Sequence, residues 1–171
     1  MKAIITMGVS GAGKTSYIKN AVLHPGREVN RLPHMVEGRP FYEGGTFLLS
    51  VDDLTFDADG NFKPEMLSVG HANCLQQFIR GCEELFEREG TLIVDNTNTS
   101  AWEVSPYIQT FNAIVGKEGG EIEVVVFLKD WRMCAERNTH GTPAGIVRRM
   151  ARQLDRTLDD YPPFFPPVKL I

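Results

Sequence analysis

Short apolar runs alternate along the chain with longer stretches in which apolar residues recur every three or four positions. Runs rich in β-branched residues predict strands, and the helical period predicts helices between them. The predicted strands are Ala3–Met7, Thr46–Val51, Leu92–Val94 and Ile122–Leu128, with Val168–Ile171 as a fifth. The predicted helices are Thr15–Val22, residues 67–86, Glu103–Val115, Arg132–Asn138 and Pro143–Leu158. Apolar strands that alternate with helices are typical of a parallel sheet covered on both faces.

The pattern therefore predicts one three-layer α/β domain over residues 1–171, with four or five parallel strands and helices on both faces. A chain of 171 residues is long enough to bury such a core. Residues 24–45 contain three Pro and four Gly, so we expect a long irregular insertion there. Residues 161–171 begin with a proline-rich run that cannot form a regular helix.

The charge balance excludes some partners and leaves others open. With 18 Lys and Arg against 22 Asp and Glu, the net charge of −4 argues against a nucleic-acid coat protein or a polybasic membrane binder. Residues 129–156 carry seven basic and three acidic side chains, whereas residues 43–65 carry one basic and six acidic ones. This uneven distribution still permits a nucleic acid as a substrate that binds locally.

Cysteine usage and hydropathy indicate a compartment. Three cysteines without a C-x-x-C spacing predict reduced thiols rather than a disulfide framework or a zinc site. No apolar run approaches the roughly 18 residues of a membrane-spanning helix, and Met1–Met7 is too short for the apolar core of a signal peptide. We therefore expect a cytoplasmic protein without membrane contact.

The segment GVSGAGKT at residues 8–15 matches G-x-x-x-x-G-K-[ST] and lies between a predicted strand and a predicted helix. In such a loop, glycines let backbone N–H groups turn toward phosphate oxygens, and the helix N-terminus adds partial positive charge. We expect Lys14 at the β- and γ-phosphates of ATP and the Thr15 hydroxyl on Mg²⁺. The competing interpretation is a glycine-rich turn without a ligand. The predicted nucleotide-binding residues of the loop are Gly8, Ser10, Gly11, Ala12, Gly13, Lys14, Thr15 and Ser16.

Two acidic residues, Asp52 and Asp53, follow the second predicted strand. The carboxyl ends of parallel strands face the ligand crevice, so a carboxylate there can accept a proton from an attacking hydroxyl near the γ-phosphate. Asp52 is therefore predicted to be a general base, which favours transfer to an alcohol over hydrolysis. Asp53 is interpreted equally well as a substrate contact or as a cap of a following helix.

Short polar residues also follow the third predicted strand, in the run DNTNT at residues 95–99. Asp95 stands where a Walker-B acid holds Mg²⁺, through water or through Thr15. Asn96 and Asn98 are interpreted either as contacts to phosphate or acceptor or as parts of an Asx-rich turn.

Residues 131–158 are predicted to form a lid followed by a basic helix. Arg137 ends the first helix of this region, directly before a loop with Gly and Pro that suits a lid closing over ATP. We expect Arg137 to bind the nucleotide and to neutralise charge on the transferred phosphoryl group. The alternative is a surface arginine paired with Asp130 or Glu136, which contributes little to stability.

Two further features are candidates for contacts to the acceptor. Arg148, Arg152 and Arg156 form a stripe that is either a solvated face or lies along a phosphate backbone or over the nucleotide, with Arg148 as the predicted substrate contact. His71 lies on the apolar face of the 67–86 helix, which favours a hydrogen-bonded core histidine over a substrate contact that faces the cleft.

In this order, the segments GVSGAGKT, LSVDD, GHANC, IVDNTNT and ERNTHGTP resemble the polynucleotide 5′-hydroxyl kinases of the phage end-healing type, over roughly residues 2–158. The resemblance implies the P-loop NTPase fold and, for a phage-encoded protein, the host cytoplasm. It implies a kinase that moves the γ-phosphate of ATP to the 5′-hydroxyl end of DNA or RNA. It also implies that Lys14 and Thr15 bind phosphate and Mg²⁺, that Asp52 is the general base, and that Arg137 lies in the lid.

The chain departs from this group where the acceptor is recognised. Leu54, Thr55 and Phe56 stand where phage end-healing kinases carry an arginine that contacts substrate phosphate. The insertion at residues 24–45 is longer than the resemblance predicts. It brings side chains that can contact an acceptor: Arg27, Arg31, His34, Arg39 and Tyr42.

These departures leave other acceptors open. One alternative is a hydroxyl on a modified base within DNA, as in phage hydroxymethyluracil DNA kinases, and another is a small-molecule alcohol. A nucleotide-dependent switch without phosphotransfer is a different class of function. The position of Asp52 at a strand end argues against that class.

Overall fold

The computed structural model describes residues 1–22, 29–30, 34–36, 39–41, 45–56, 61–86 and 88–171. The strands in this part of the chain are β1 (Lys2–Met7), β2 (Val29–Asn30), β3 (His34–Val36), β4 (Arg39–Phe41), β5 (Gly45–Leu49), β6 (Gly90–Val94), β7 (Glu121–Val126) and β8 (Val168–Leu170). Six of them form a parallel sheet in the order β2-β5-β6-β1-β7-β8. The five predicted strands are therefore confirmed, and the short β2 extends the sheet at one edge.

Helices connect the strands and cover both faces of the sheet. They are α1 (Lys14–Tyr17, continued by a π-helical turn over Ile18–Val22), α2 (Asp52–Thr55), α3 (Leu67–Leu85, preceded by a 3₁₀ turn over Pro64–Met66), α4 (Ala101–Ile114), α5 (Gly116–Gly119), α6 (Trp131–Arg137) and α7 (Ala144–Asp159). In the described residues, no helix is both long enough and apolar enough to cross a bilayer.

Alternate residues of the central strand β1 belong to two separate cores, because successive side chains of a strand point to opposite faces. Ile5 and Met7 pack with Phe78 of α3 and Phe111 of α4 on one face. Ile4 packs on the other face with residues of α1, α6 and the start of α7. Both faces of the sheet are thus buried, as the apolar strands predict, and the fold is a three-layer α/β fold.

The prediction of an irregular segment over residues 24–45 is wrong for the part of it that the structure describes. Val29–Asn30 pairs with β5, and β3 and β4 form an antiparallel ladder in which Met35 lies opposite Pro40. Proline is tolerated there because a two-stranded ladder has only edge strands. Of the residues predicted to contact an acceptor, Arg27, Arg31 and Tyr42 lie outside the described residues, and of His34 and Arg39 only the backbone is described.

The helix predicted from Glu103 starts two residues earlier, at Ala101, because Ser100 and Glu103 form a capping box. The Glu103 carboxylate accepts from the backbone N–H of Ser100 at 2.8 Å and from its hydroxyl at 2.6 Å. Such a box satisfies N–H groups that a helix start would leave without partners. It also fixes where the run at residues 95–99 ends.

Candidate active site

A cleft of about 770 Å³ opens at the carboxyl ends of β1, β5 and β6, a volume within the usual range for ligand pockets. One wall, called here the P-loop side, consists of residues 10, 11 and 13–16 together with Asp95. The facing wall, called the Asp52 side, is formed by Val51, Asp52, Phe56, Phe62, Leu67 and His71. The loop between α6 and α7 extends along the cleft and contributes residues 139–143.

The P-loop side is built from backbone in conformations that favour glycine. Gly11 and Gly13 have φ angles of 80° and 93°, in the left-handed region. A Cβ at Gly11 would collide with the backbone carbonyl of Cys134, so the loop packs directly on α6. Lys14 Nζ donates to the carbonyl oxygens of Gly8 and Val9, both at 3.0 Å, which holds the amine inside the loop.

The positive charge on the P-loop side is carried by the Lys14 amine. Burial lowers the pKa of Lys14, whereas Asp95, Asp52 and Cys134 oppose that shift. The two carboxylates therefore favour the protonated amine that a phosphate-binding lysine requires.

A second pair of side chains on the P-loop side fits a hydrated Mg²⁺ ion. The Thr15 hydroxyl donates to Asp95 Oδ2 at 2.7 Å, and Asp95 Oδ1 has no hydrogen-bond partner among the described residues although it is buried. Mg²⁺ in nucleotide sites takes one or two protein oxygens and completes its octahedron with phosphate oxygens and water. The pair fits that role, in which the ion would neutralise charge on the phosphates. The described residues contain no cluster of three or more His, Cys, Asp or Glu side chains that could hold a metal alone.

Two of the residues predicted to bind the nucleotide lie behind the loop rather than in the cleft. The Gly8 N–H donates to the Thr97 carbonyl at 2.7 Å, and Ala12 is buried in the core beneath α1. Gly8 and Ala12 therefore support the loop from behind, and nucleotide binding by their backbone stays a prediction. Ser10, Gly11, Gly13, Lys14, Thr15 and Ser16 line the cleft.

Asn98 is also a supporting residue, and its prediction as a substrate contact is wrong. Its side chain is 1% exposed, and its Nδ2 donates to the carbonyl oxygen of Thr6 at 3.0 Å. The left-handed φ of 42° at Asn98 turns the chain inward, which asparagine tolerates better than most residues. The hydroxyl of Thr6 in turn donates to Val94 and Asn96 carbonyls, so strands β1 and β6 are tied together just below the P-loop.

Asn96 lies at the cleft, but its side chain is engaged in holding the Asp52 side. Its Oδ1 accepts from the backbone N–H of Val51 at 2.9 Å, and its Nδ2 lies 3.5 Å from the Sγ of Cys74. Asn96 therefore fixes the point where β5 passes into α2, and with it the position of Asp52.

Asp52 begins α2 and faces the P-loop side across the cleft. Its backbone N–H donates to the Ser50 hydroxyl at 3.2 Å, and its Oδ2 lies 4.0 Å from Nε2 of His140 in the α6–α7 loop. Partial burial of its carboxyl in the cleft raises the pKa of Asp52, and the nearby charge of Asp95 raises it further. His140 and Lys14 act in the opposite direction and lower this pKa. A carboxylate with a raised pKa is a stronger base. The neighbouring Asp53 is exposed in the first turn of α2 and is not among the cleft-lining residues, which favours the helix-start interpretation.

Arg137 ends α6 and lines the cleft, whereas Asp130 is paired with Arg132 at 3.6 Å. Beyond it, Asn138 Nδ2 donates to the Thr142 carbonyl at 2.8 Å and closes the loop into a compact turn. The hydroxyls of Thr142 and Ser10 are 3.4 Å apart, so this loop touches the P-loop directly.

Arg148 is not where the sequence places it, and His71 follows the second of its two interpretations. His71 is exposed and lines the cleft, so the interpretation as a core histidine is wrong. The cause is the position of α3, whose Gly70 packs against Val51 and Thr55 and leaves the next residue facing the cleft. Arg148 is not among the cleft-lining residues and instead lies over the ring of Trp131, with its Cζ 5.6 Å from the ring centroid.

Sequence reasoning missed two phenylalanines on the Asp52 side and the histidine of the α6–α7 loop that packs on one of them. Phe56 packs against Phe62 and against His140, with both pairs of ring centroids 5.4 Å apart. The only signal in the sequence is a pair of phenylalanines that flank residues 57–61, a spacing too common to single out.

This fold and this site together define a P-loop nucleotide-binding protein of the kinase-like type. A family model described as an AAA domain matches residues 4–162, and the chain belongs to that family.

Solved structures show the same fold. A chain of the Pnkp1/Rnl/Hen1 RNA repair complex is similar over 97% of this chain and 47% of its own, with a TM-score of 0.65 and 15% identity. A gluconokinase from Sinorhizobium meliloti 1021 is similar over 99% of this chain and 82% of its own, with a TM-score of 0.53 and 16% identity. A shikimate kinase from Acinetobacter baumannii is similar over 92% of this chain and 78% of its own, with a TM-score of 0.50 and 15% identity. The chain thus spans less than half of the matched repair-complex chain.

Proposed function

We propose that this protein is an ATP-dependent kinase that transfers the γ-phosphate to a hydroxyl of a nucleic acid, namely the 5′-hydroxyl end of DNA or RNA. Asp52 is the general base in this proposal. The observation that carries it is that Asp52 lines the same cleft as Lys14 and the Thr15–Asp95 pair, close enough for the charges of Lys14 and Asp95 to act on its pKa. A hydrolase needs only a water-positioning group at this place, whereas a carboxylate with a raised pKa suits removal of an alcohol proton.

The chemistry follows from the two walls of the cleft. Lys14, the backbone N–H groups of the loop and Arg137 neutralise charge on the phosphates, which stay fixed on the P-loop side. The acceptor hydroxyl enters from the Asp52 side, loses its proton to Asp52 and attacks the γ-phosphorus in line. The bond from the γ-phosphorus to the bridging oxygen then breaks, and ADP leaves with that electron pair.

The choice of a nucleic-acid acceptor rests on two supports. The first is the resemblance of five ordered segments to polynucleotide 5′-hydroxyl kinases, and the second is the likeness of the fold to a chain of an RNA repair complex. The exposed arginine stripe of α7, formed by Arg148, Arg152 and Arg156, adds positive charge to the helix that follows the lid loop.

A small-molecule alcohol is the second candidate acceptor. Gluconokinase and shikimate kinase, as their names state, act on small molecules with this fold. Among the described residues that line the cleft, Lys14 and Arg137 are the only Lys or Arg, so the Asp52 side offers no dedicated contact to an acceptor phosphate.

An acceptor panel with γ-labelled ATP tests the proposal. The panel contains 5′-hydroxyl DNA and RNA oligonucleotides, the same oligonucleotides with 5′-phosphate, duplex DNA with internal hydroxymethyluracil, and gluconate and shikimate. Label on the 5′-hydroxyl oligonucleotides alone supports the proposal. Label that appears only on the internal modified base or only on a small alcohol would refute the 5′-end assignment and identify the alternative acceptor.

A further inference from the structure

Building on the proposed function, we propose that Phe56 and Phe62 form a stacking surface for the nucleobase next to the acceptor hydroxyl. The acceptor is then an unpaired terminal nucleotide of either nucleic acid, and it is bound through its base rather than through a row of phosphates. The evidence comes from the backbone that pairs the two rings, from their place in the cleft, and from the histidine that lies next to both Phe56 and Asp52.

The two phenylalanines are held side by side by their backbones. Phe56 and Phe62 form an isolated antiparallel bridge, and the Lys63 N–H donates to the Thr55 carbonyl at 2.7 Å. The rings are 5.4 Å apart with a tilt of 50°. Because two backbone contacts fix this pair, the surface exists before a ligand arrives, and little side-chain entropy is lost on binding.

The surface is open to a ligand on the cleft side. Phe62 is 47% exposed and lines the cleft, as do Phe56 and the neighbouring Leu67, which is 38% exposed. An exposed aromatic ring in a cleft is costly in water, and a flat apolar ligand removes that cost.

The imidazole of His140 links this surface to the general base. His140 Nε2 lies 4.0 Å from Asp52 Oδ2, and the His140 ring centroid lies 5.4 Å from the ring centroid of Phe56. The same imidazole therefore lies next to both Asp52 and Phe56. A nucleotide whose 5′-hydroxyl reaches Asp52 carries its own base only a few bonds away, which places that base against the two phenylalanines.

The chemistry of the surface favours a nucleobase over a polyol. Every base has a flat face that stacks on an aromatic side chain, and this contact tolerates all four bases. A polyol at the same place would leave hydroxyl groups against apolar rings without hydrogen-bond partners. Two features of the acceptor follow: weak preference for base identity, and faster reaction of single-stranded or frayed ends, since a paired terminal base must first unstack.

The experiment compares two 5′-hydroxyl single strands that differ only in the terminal residue, which is either a normal nucleotide or an abasic one. For Phe62→Ala we expect the KM for the normal strand to rise by about 5- to 150-fold, the range of one lost stacking contact. The KM for the abasic strand and the KM for ATP should change little. Phe62→Trp should restore binding of the normal strand, whereas Phe62→Leu, which is apolar but has no ring, should not.

Phe164→Ala is the matched control, because Phe164 is 77% exposed and lies outside the cleft. Phe62 is also exposed, so its variants should fold normally, and a thermal melt checks this. An equal effect of Phe62→Ala on both strands, or an effect on the KM for ATP alone, would overturn the stacking surface while the kinase remains. Absence of transfer to any 5′-hydroxyl strand by the unaltered protein overturns the proposed function and the stacking surface together.

Discussion

The two walls of the cleft are built on different physical principles. On the P-loop side, backbone groups form most of the surface and hold it in place. They are glycines with left-handed φ angles, carbonyls that accept from Lys14, and strand ends that Thr6 and Asn98 tie together. On the Asp52 side, side chains form the surface, namely Asp52 and the rings of Phe56 and Phe62, with His140 of the α6–α7 loop packed on Phe56. Backbone cannot shift without breaking the fold, whereas side chains can repack.

The difference indicates a division of labour. A phosphate group is the same in every nucleoside triphosphate, so the wall that binds it benefits from one rigid geometry. Acceptors differ among kinases of one fold, and a surface of side chains can change by substitution while the sheet stays intact. We therefore expect substitutions on the P-loop side to act on turnover and stability, and those on the Asp52 side to act on acceptor recognition as well.

The largest effect is expected for Lys14→Ala on the P-loop side. Loss of a cation that neutralises the transferred phosphoryl group lowers kcat by about 10³- to 10⁵-fold. Lys19→Ala is the matched control, since Lys19 is exposed further along the same helical segment and does not line the cleft. Steady-state kinetics with labelled ATP measures both. Substantial residual turnover in Lys14→Ala would contradict the assignment of this loop.

On the Asp52 side, Asp52→Asn should lower transfer by about 10²- to 10⁴-fold, the usual contribution of a general base. Binding of ATP, followed by fluorescence titration, should be retained because the phosphates lie on the other wall. Asp53→Asn is the control, as Asp53 is adjacent and exposed but outside the cleft. Unchanged turnover in Asp52→Asn would remove Asp52 as the base.

The pH profile gives an independent check on Asp52. The base works only when deprotonated, and the pKa of Asp52 in the unliganded protein is raised, so kcat/KM should be retained at higher pH and lost as pH falls through that pKa. The midpoint should lie above the ordinary aspartate value and be unaffected in Asp53→Asn. A midpoint at or below the ordinary value would contradict the burial and charge environment described for Asp52.

The smallest effects are expected on stability, in two glycine substitutions that place a Cβ against backbone on one wall and mainly against side chains on the other. Gly11→Ala should destabilise the fold by about 2–5 kcal/mol, because the new Cβ meets the Cys134 carbonyl and φ is unfavourable. Gly70→Ala should destabilise the fold less, by about 1–2 kcal/mol, because its Cβ would lie 2.9 Å from Cγ1 of the buried Val51 and 3.3 Å from the Val51 carbonyl oxygen, while alanine favours the helix. Thermal unfolding measures both, and Gly145→Ala, with open space around it, is the control. Equal losses of stability in Gly11→Ala and Gly70→Ala would contradict the expected difference between the two walls.

The same contrast explains what could be predicted from the sequence. Lys14 and Thr15 belong to a contiguous motif, and Asp52 and Asp95 follow strands whose carboxyl ends must meet in a parallel sheet. Local spacing and one topological rule are enough to place these four residues in a common cleft. The five sheet strands follow in the same way from their apolar runs.

The errors concern residues whose position depends on distant packing. Helical periodicity assigns His71 to a buried face, but the start of α3 lies over α2 rather than over the sheet. Asn98 looks like a polar ligand, yet its role is a bond to Thr6, 92 positions away. The neighbourhood of Phe56 and His140 joins segments far apart in the chain, and no local pattern reports it.

The loop between α6 and α7 is attached to the P-loop at both of its ends. Gly11 packs against Cys134 and the start of the loop at Asn138, and Ser10 meets Thr142 at the other end. A flap hinged at one end would break one of these attachments each time it opened. Motion that keeps both is confined to the backbone dihedral angles of residues 138–142, where Gly141 has a φ of 68°. The segment that carries His140 is thus attached to the P-loop at two points. A shift of the P-loop would therefore move His140, and with it the neighbour of Asp52 on the other wall.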